Sequence, residues 1–305
     1  MHITQVTDDS ETEQNVFSCF EIGQRVTAVV TAVFTGDDDG EHKMAELSLR
    51  PSAIKAGKAE VLSFASLKDG QAVKGVVEKV EDGVIWVFLA NGVRGRILVI
   101  DAASSLKAAG ALDTKYAPGC PITCSVIAVD SGKKRLDLGL GDAVGTIEAG
   151  ESYLGRISKV SPGEAMYVQL PNGKYGRLAI TEIGDSFTTD PMKDFEAGKL
   201  VDCRVLRVDD KQKYIDVSLR SAGATAEALD LRDVVDVAQL EVGATAKGYV
   251  RSMSSVGCFV NISRSIVARV IMRELSNDFV NDPETQFPRG MLVRAPTRPG
   301  TVGPC

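Results

Sequence analysis

The chain repeats itself, and the spacing of the repeat limits what it can fold into. Leu67-Lys-Asp-Gly70 followed by Gly75-Val-Val77 recurs as Ile147-Glu-Ala-Gly150 with Gly155-Arg-Ile157, and again as Leu240-Glu-Val-Gly243 with Gly248-Tyr-Val250. An aromatic three residues before a glycine forms a second anchor: Phe20/Gly23, Tyr116/Gly119, Phe195/Gly198 and Phe287/Gly290. The first anchor glycine precedes the second by 49, 48 and 47 residues in the three copies. A third anchor closes each unit, as Ala45-Glu46-Leu-Ser-Leu-Arg50, Leu136-Asp137-Leu-Gly-Leu140 and Ile215-Asp216-Val-Ser-Leu-Arg220. Residues 182–195 also align with 274–287 without a gap.

These anchors divide the chain into a disordered acidic tail (1–16), a closing half-unit (17–52), complete units at 66–140 and 147–221, an alanine- and acid-rich linker (222–238), an incomplete unit (239–295) and an irregular tail (296–305). The partial units suggest a piece of a longer array. The 147–221 unit reads as five short strands. An extended run over Tyr153–Val160 precedes the alternating Met166-Tyr-Val-Gln-Leu170 and a tight Pro171-Asn172-Gly173 turn. Tyr175-Gly-Arg-Leu-Ala179, Leu200–Val208 and Tyr214–Leu219 supply the other three strands, with a long excursion at 182–197. Five strands with that excursion suit a small closed barrel, so the expected class is all-β, as tandem five-stranded barrels.

Composition narrows the chemistry. The two histidines, His2 and His42, lie outside the patterned region, which excludes Ser–His or Cys–His catalysis within the units and any multi-His metal site. The six cysteines form no CxxC pair, a usage that suits a reducing compartment. No stretch approaches the ~20 apolar residues that span a bilayer, and the N-terminus lacks the pattern of a secretory signal. The net charge of −6 is uneven: residues 1–65 hold 11 acidic and 5 basic side chains, whereas 66–140 hold 8 and 10. This balance argues against tight, sequence-blind phosphate binding. Gly139–Gly145 superficially suggests a phosphate loop but lacks Lys-Ser/Thr, and Asp37-Asp38-Asp39 reads as an acidic hairpin tip rather than a cation site. No catalytic site, cofactor or metal is expected.

The run Gly248-x-Val250 … Val256-Gly257-Cys258-Phe259-Val260-Asn-Ile262, together with the Asp216-Val-Ser-Leu-Arg220 ending, resembles the RNA-binding repeat of the bacterial ribosomal protein S-one family, which has the OB fold. The Phe-x-x-Asp-Pro insertion and the Val-Ser-Leu-Arg ending are similar in style to the repeats of a large eukaryotic nucleolar processing factor. The resemblance covers nearly all of residues 17–295. It implies single-stranded RNA bound on one barrel face, with aromatics stacking on bases and basic groups meeting phosphates. By resemblance, the strand-two aromatic falls on Trp86, Tyr167 and Phe259. A second family aromatic falls on Gly83, Glu164 and Val256, and a strand-three histidine on Leu98, Ala179 and Ile271, so both are lost. The strand-five acid–arginine pair is kept as Asp216/Arg220 and Glu46/Arg50, and is broken where Asp137 is followed by Gly141.

An aligned arginine is new: Arg96, Arg177 and Arg269, which period-two alternation points away from the barrel core. Lys133, Lys134 and Arg135 add positive charge in the last turn of the 66–140 unit. Two readings stay open for these residues: the aromatics as edge-of-core packing, and the arginines as surface charges or partners of acids such as Glu182 and Glu274. The expected function is a non-enzymatic scaffold of tandem repeats that binds pre-ribosomal RNA and other ribosome-assembly proteins in the nucleus and nucleolus, with no membrane and no small-molecule substrate. The alternatives are a translation or RNA-decay factor built on the same repeats, or a purely protein-docking array.

Overall fold

The computed structural model describes residues 5–6, 20–35, 43–57, 62–141, 146–209, 214–221, 231–276 and 280–298. The tail at 1–16, the Asp37–Asp39 tip and most of the tail at 296–305 lie largely or wholly outside these residues. So do 142–145 of the glycine-rich stretch and 222–230 of the linker. The chain divides into two compact units, residues 1–145 and 146–305, taken one at a time below.

In the first unit, β1 (Val29–Thr35) and β2 (Lys43–Ser48) form an antiparallel two-stranded sheet. Strands β3 (Ala72–Glu81), β4 (Val84–Phe88), β5 (Arg94–Leu98), β6 (Pro121–Asp130) and β7 (Arg135–Gly139) close a barrel in the order β3-β4-β5-β7-β6. The pairings are antiparallel except β5–β7, which is parallel; three short helical turns at 99–115 connect β5 to β6. Alternation places Val77, Ile85, Val87, Ile97, Val126, Leu136 and Leu138 inside, each no more than 1% exposed. The two-stranded sheet docks on this barrel through Glu46, whose buried carboxylate accepts the Asn91 backbone N–H at 2.9 Å and its side-chain amide at 3.3 Å.

In the second unit, β8 (Ser152–Ser161), β9 (Ala165–Gln169), β10 (Tyr175–Ala179), β11 (Leu200–Asp209) and β12 (Tyr214–Ser218) close a barrel of the same topology. Strands β13 (Thr245–Ser254), β14 (Gly257–Asn261), β15 (Val267–Val270) and β16 (Leu292–Pro296) form an open sheet in the order β15-β14-β13-β16. The all-β expectation of five-stranded barrels therefore holds. Glycine in the first barrel strand is required by contact: a β-carbon on Gly75 would lie 2.5 Å from Val87 Cγ1, and one on Gly155 2.3 Å from Val168 Cγ1. The missing side chain lets β3 and β8 coil closely over their neighbours.

The segment read from composition as a linker is, in its described part, packed on the barrel. Arg232 is 6% exposed; it donates to the carbonyls of Gly184 (2.9 Å) and Asp185 (2.6 Å) and stacks over Phe187 at 4.8 Å, while Val234 is 3% exposed. The guanidinium satisfies carbonyls that this loop would otherwise leave unpaired, which composition alone does not reveal.

Candidate nucleic-acid interface

The aromatics at the aligned position are not core. Trp86 lies half-buried between Ile85 and Val87, both 0% exposed, so its indole points outward from β4. Tyr167 alternates in the same way with Met166 and Val168, and Phe259 with Cys258 and Val260. Each faces the aligned arginine directly across the sheet: Trp86 opposite Arg96, Tyr167 opposite Arg177, and Phe259 opposite Arg269. Directly opposite side chains in antiparallel strands have β-carbons about 5 Å apart, so each pair forms one continuous patch.

The parallel closure of the barrel extends the row by an acid. Arg96 stands beside Asp137, with Nε 2.5 Å from Oδ1, and Arg135 Nε lies 3.4 Å from Oδ2 of the same carboxylate. Two guanidinium groups thus share one carboxylate, and the cluster keeps a net positive charge beside the indole. In the second barrel Arg177 stands beside Asp216 at a longer 3.9 Å. In the open sheet the row ends with Arg269, which is exposed on the edge strand β15.

Sequence reasoning missed two basic residues and one aromatic. Lys79 faces Trp86 from β3, and Lys159 faces Tyr167 from β8. Lys79 also pairs with Glu81, whose hydrogen bond and charge hold its ammonium pKa above the ordinary lysine value. Both lysines sit four residues after the strand-one glycine, a signal the repeat alignment contains. A β-bulge at 77–79 and another at 157–159 break the alternation, so period two misplaces them. Phe88, two residues beyond Trp86 on the same face, is half-buried and lies opposite Arg94. The 66–141 barrel therefore carries two outward aromatic–arginine pairs side by side, about 7 Å apart along the strand. The second barrel has Gln169 where the first has Phe88.

Other expected site residues are placed differently. Lys133 and Lys134 occupy the exposed β6–β7 turn, where Asp130 accepts the Lys133 N–H at 3.0 Å; of that basic run, only Arg135 reaches the row. Arg220 does not join the face. Its side chain is 6% exposed, with Nη1 2.7 Å from Asp233 Oδ1 and 3.7 Å from Glu182 Oε1. Strand β12 ends at Ser218, and the Ser218 hydroxyl accepts the Arg220 N–H, so the chain turns and the guanidinium folds inward. Burial pushes the Glu182 carboxyl above its usual range, against the opposing hydrogen bond from Ser218 and the charge of Arg220. This cluster is structural. The described residues contain no group of three or more His, Cys, Asp or Glu side chains placed to hold a metal.

Comparison with known proteins agrees with this geometry. Residues 147–219 match the family model described as the RRP5 S1 domain, and residues 66–141 match that of the S1 RNA binding domain. The chain is 30% identical over 343 residues to the rRNA biogenesis protein RRP5 of Arabidopsis thaliana, covering 96% of this chain and 18% of that protein. It is 28% identical to the RRP5 homolog of Homo sapiens, covering 88% of this chain and 15% of that one. It is 27% identical to the small ribosomal subunit protein bS1 of Leuconostoc lactis, covering 92% and 64%. The chain thus spans less than a fifth of the length of these RRP5 relatives.

Proposed function

Because this chain is built of S1 domains, one of them of the RRP5 type, and is homologous to RRP5, we propose that it is a non-enzymatic RNA-binding scaffold of ribosomal RNA biogenesis. In this reading it holds single-stranded segments of pre-ribosomal RNA and neighbouring assembly proteins, and works in the nucleus and nucleolus. The observation that carries it is the outer face of the 66–141 barrel, where Trp86 lies opposite Arg96 and Phe88 opposite Arg94, with Lys79 and Arg135 at the margins.

That arrangement suits an unpaired strand. Every base has a π-face, so two aromatics in line stack successive bases without reading sequence, and the flanking cations meet the phosphates. Arg96 is preset by Asp137, which lowers the entropy lost when it grips a ligand. The pairing also draws on its charge, so a single barrel binds weakly; linked barrels add through effective concentration. The test is fluorescence anisotropy of the full chain with a labelled single-stranded oligonucleotide at several salt concentrations. Salt-sensitive binding supports the reading, and no binding at low salt overturns it.

A further inference from the structure

The two closed barrels hold their aligned arginines in different ways. In the first barrel Arg96 is held by its own carboxylate, with Nε 2.5 Å from Asp137 Oδ1. In the second the Arg177–Asp216 distance is 3.9 Å, and Arg177 Nη1 donates to the Arg264 carbonyl at 3.4 Å. Arg264 belongs to the repeat that follows, within the same compact unit. A neutral carbonyl orients a guanidinium without cancelling its charge, so Arg177 keeps more of that charge for a phosphate than Arg96 does.

The following repeat is seated beside this pair by specific bonds. The buried Asn261 side chain donates to the Gly163 carbonyl at 3.0 Å, in the turn that leads into β9. The Tyr249 hydroxyl donates to the Thr188 carbonyl at 3.1 Å and accepts its N–H at 3.2 Å. Tyr249 is 2% exposed, and its ring packs on Phe187. Separating the repeats would leave these polar groups unpaired, which fixes one arrangement. That arrangement brings Arg251 of β13 to the rim of the second barrel, where Nη2 lies 3.0 Å from Glu164 Oε1. Both side chains are 41% exposed, so the guanidinium stays open to solvent. Glu164 stands three residues before Tyr167, about 10 Å away at extended spacing.

The second barrel's own face is a partial version of the first. Tyr167 is half-buried, with Arg177 opposite it on β10 and Lys159 opposite it on β8. Tyr175 is 47% exposed, stands two residues before Arg177 on the same face, and lies diagonal to Tyr167. Diagonal neighbours are about 7–8 Å apart, so these two rings take the place of Trp86 and Phe88 as platforms for successive bases. The outlying cations are missing: Tyr175 and Tyr214 occupy the positions of Arg94 and Arg135. We infer that the 147–221 barrel carries a second site for single-stranded RNA, to which the following repeat contributes the outlying cation, Arg251, and the carbonyl that orients Arg177. This rests on the RNA-binding reading above. The 66–141 barrel supplies its whole site itself, whereas this one is built from two docked repeats and is the weaker, since Glu164 draws on the charge of Arg251.

The experiment uses the full chain and a short fluorescein-labelled oligouridylate, with affinity and salt dependence read by anisotropy and stability by thermal melting. Trp86→Ala combined with Phe88→Ala removes the first site, and this double variant is expected to retain weaker, salt-sensitive binding. Adding Tyr175→Ala should reduce that residual affinity by about fivefold or more. The sharper comparison sets Arg251→Gln against Glu164→Gln in the same background. Both break one ion pair and should lower the melting temperature alike. Arg251→Gln should weaken residual binding several-fold and flatten its salt dependence. Glu164→Gln keeps the guanidinium and removes a carboxylate, so binding should hold or tighten. If the pair only holds the repeats together, the two variants weaken binding to the same extent, and the inference is overturned. It is overturned too if Tyr175→Ala or Arg251→Gln binds like its parent, or if the double variant binds nothing while wild type binds RNA. Absence of binding by every form, wild type included, instead overturns the RNA reading itself, and the second site falls with it.

Discussion

Replacing Trp86 by alanine separates the two roles open to an outward aromatic. The indole stands outside β4, and the barrel interior beneath it is already filled by Ile85, Val87 and Ile97, each 0% exposed. Truncation therefore opens no internal cavity. What is lost on folding is a cross-strand pairing with Arg96 and Lys79, worth about 0.2–1 kcal/mol per pair. For a domain of this size, 1 kcal/mol moves the melting temperature by roughly 4–8 °C. A buried neighbour behaves differently: Ile85→Ala costs about 2–5 kcal/mol. What is lost on binding is a stacking platform, worth roughly 1–3 kcal/mol per base, or about 5- to 150-fold in affinity. The assay is anisotropy with a labelled single-stranded oligonucleotide, paired with a thermal melt of the same preparation. The expected result is a large loss of affinity with a melting shift smaller than that of Ile85→Ala, at most about 16 °C if both pairs contribute in full. Unchanged binding together with a melt as low as that of Ile85→Ala would make Trp86 a packing residue.

Other expectations follow from the same contacts. Arg96→Ala should weaken binding and flatten its salt dependence while the barrel stays folded, since Arg135 still neutralises Asp137; a steeper salt slope would contradict this. Gly155→Val should abolish the cooperative melt of the second unit, because Val168 and Cys203 already crowd that position; a native-like melt would show that β8 and β9 need not approach so closely. The pKa of Glu182 is raised on folding, so the stability linked to its proton is complete below the ordinary carboxyl value of 4.5 and is lost as pH rises through the raised value. The second unit should thus lose stability over that window, and Glu182→Gln, which still accepts from Ser218, should flatten the profile; an unchanged profile counts against the assignment. Burial pushes the thiols of Cys124 and Cys203 up to about 12, so iodoacetamide near neutral pH should label them only after denaturation, and rapid labelling of the native chain would place them at the surface.

The anchors that made the barrels legible in the sequence are those the packing demands. Gly75 and Gly155 recur because their neighbours leave no room for a β-carbon, and Arg96 could be placed outside the core because period two holds over β5, whereas for Trp86 the sequence left edge-of-core packing open. Legibility failed where a periodic rule was interrupted. The bulge in β3 hid Lys79, and the end of β12 at Ser218 turned Arg220 into a buried partner of Glu182 and Asp233. Phe88 escaped notice because the aligned copies carry Gln169 and Asn261, so a search for shared residues passes over it. The crowding at Gly163, where a β-carbon would lie 2.8 Å from Gly290 N and 3.0 Å from Val250 O, was invisible for another reason: it comes from residues 87 to 127 positions away, and no pattern within one repeat encodes a contact between repeats.

RNA should lie on the outer β4–β5–β7 face of the 66–141 barrel. Ultraviolet crosslinking of the full chain to a single-stranded oligouridylate, followed by mass spectrometry of the crosslinked peptides, tests it most directly. Adducts are expected at Trp86 and Phe88 and in peptides bearing Arg96 or Arg135, and should vanish at high salt. Crosslinks confined to residues outside 66–141, or spread evenly over the chain, would contradict it.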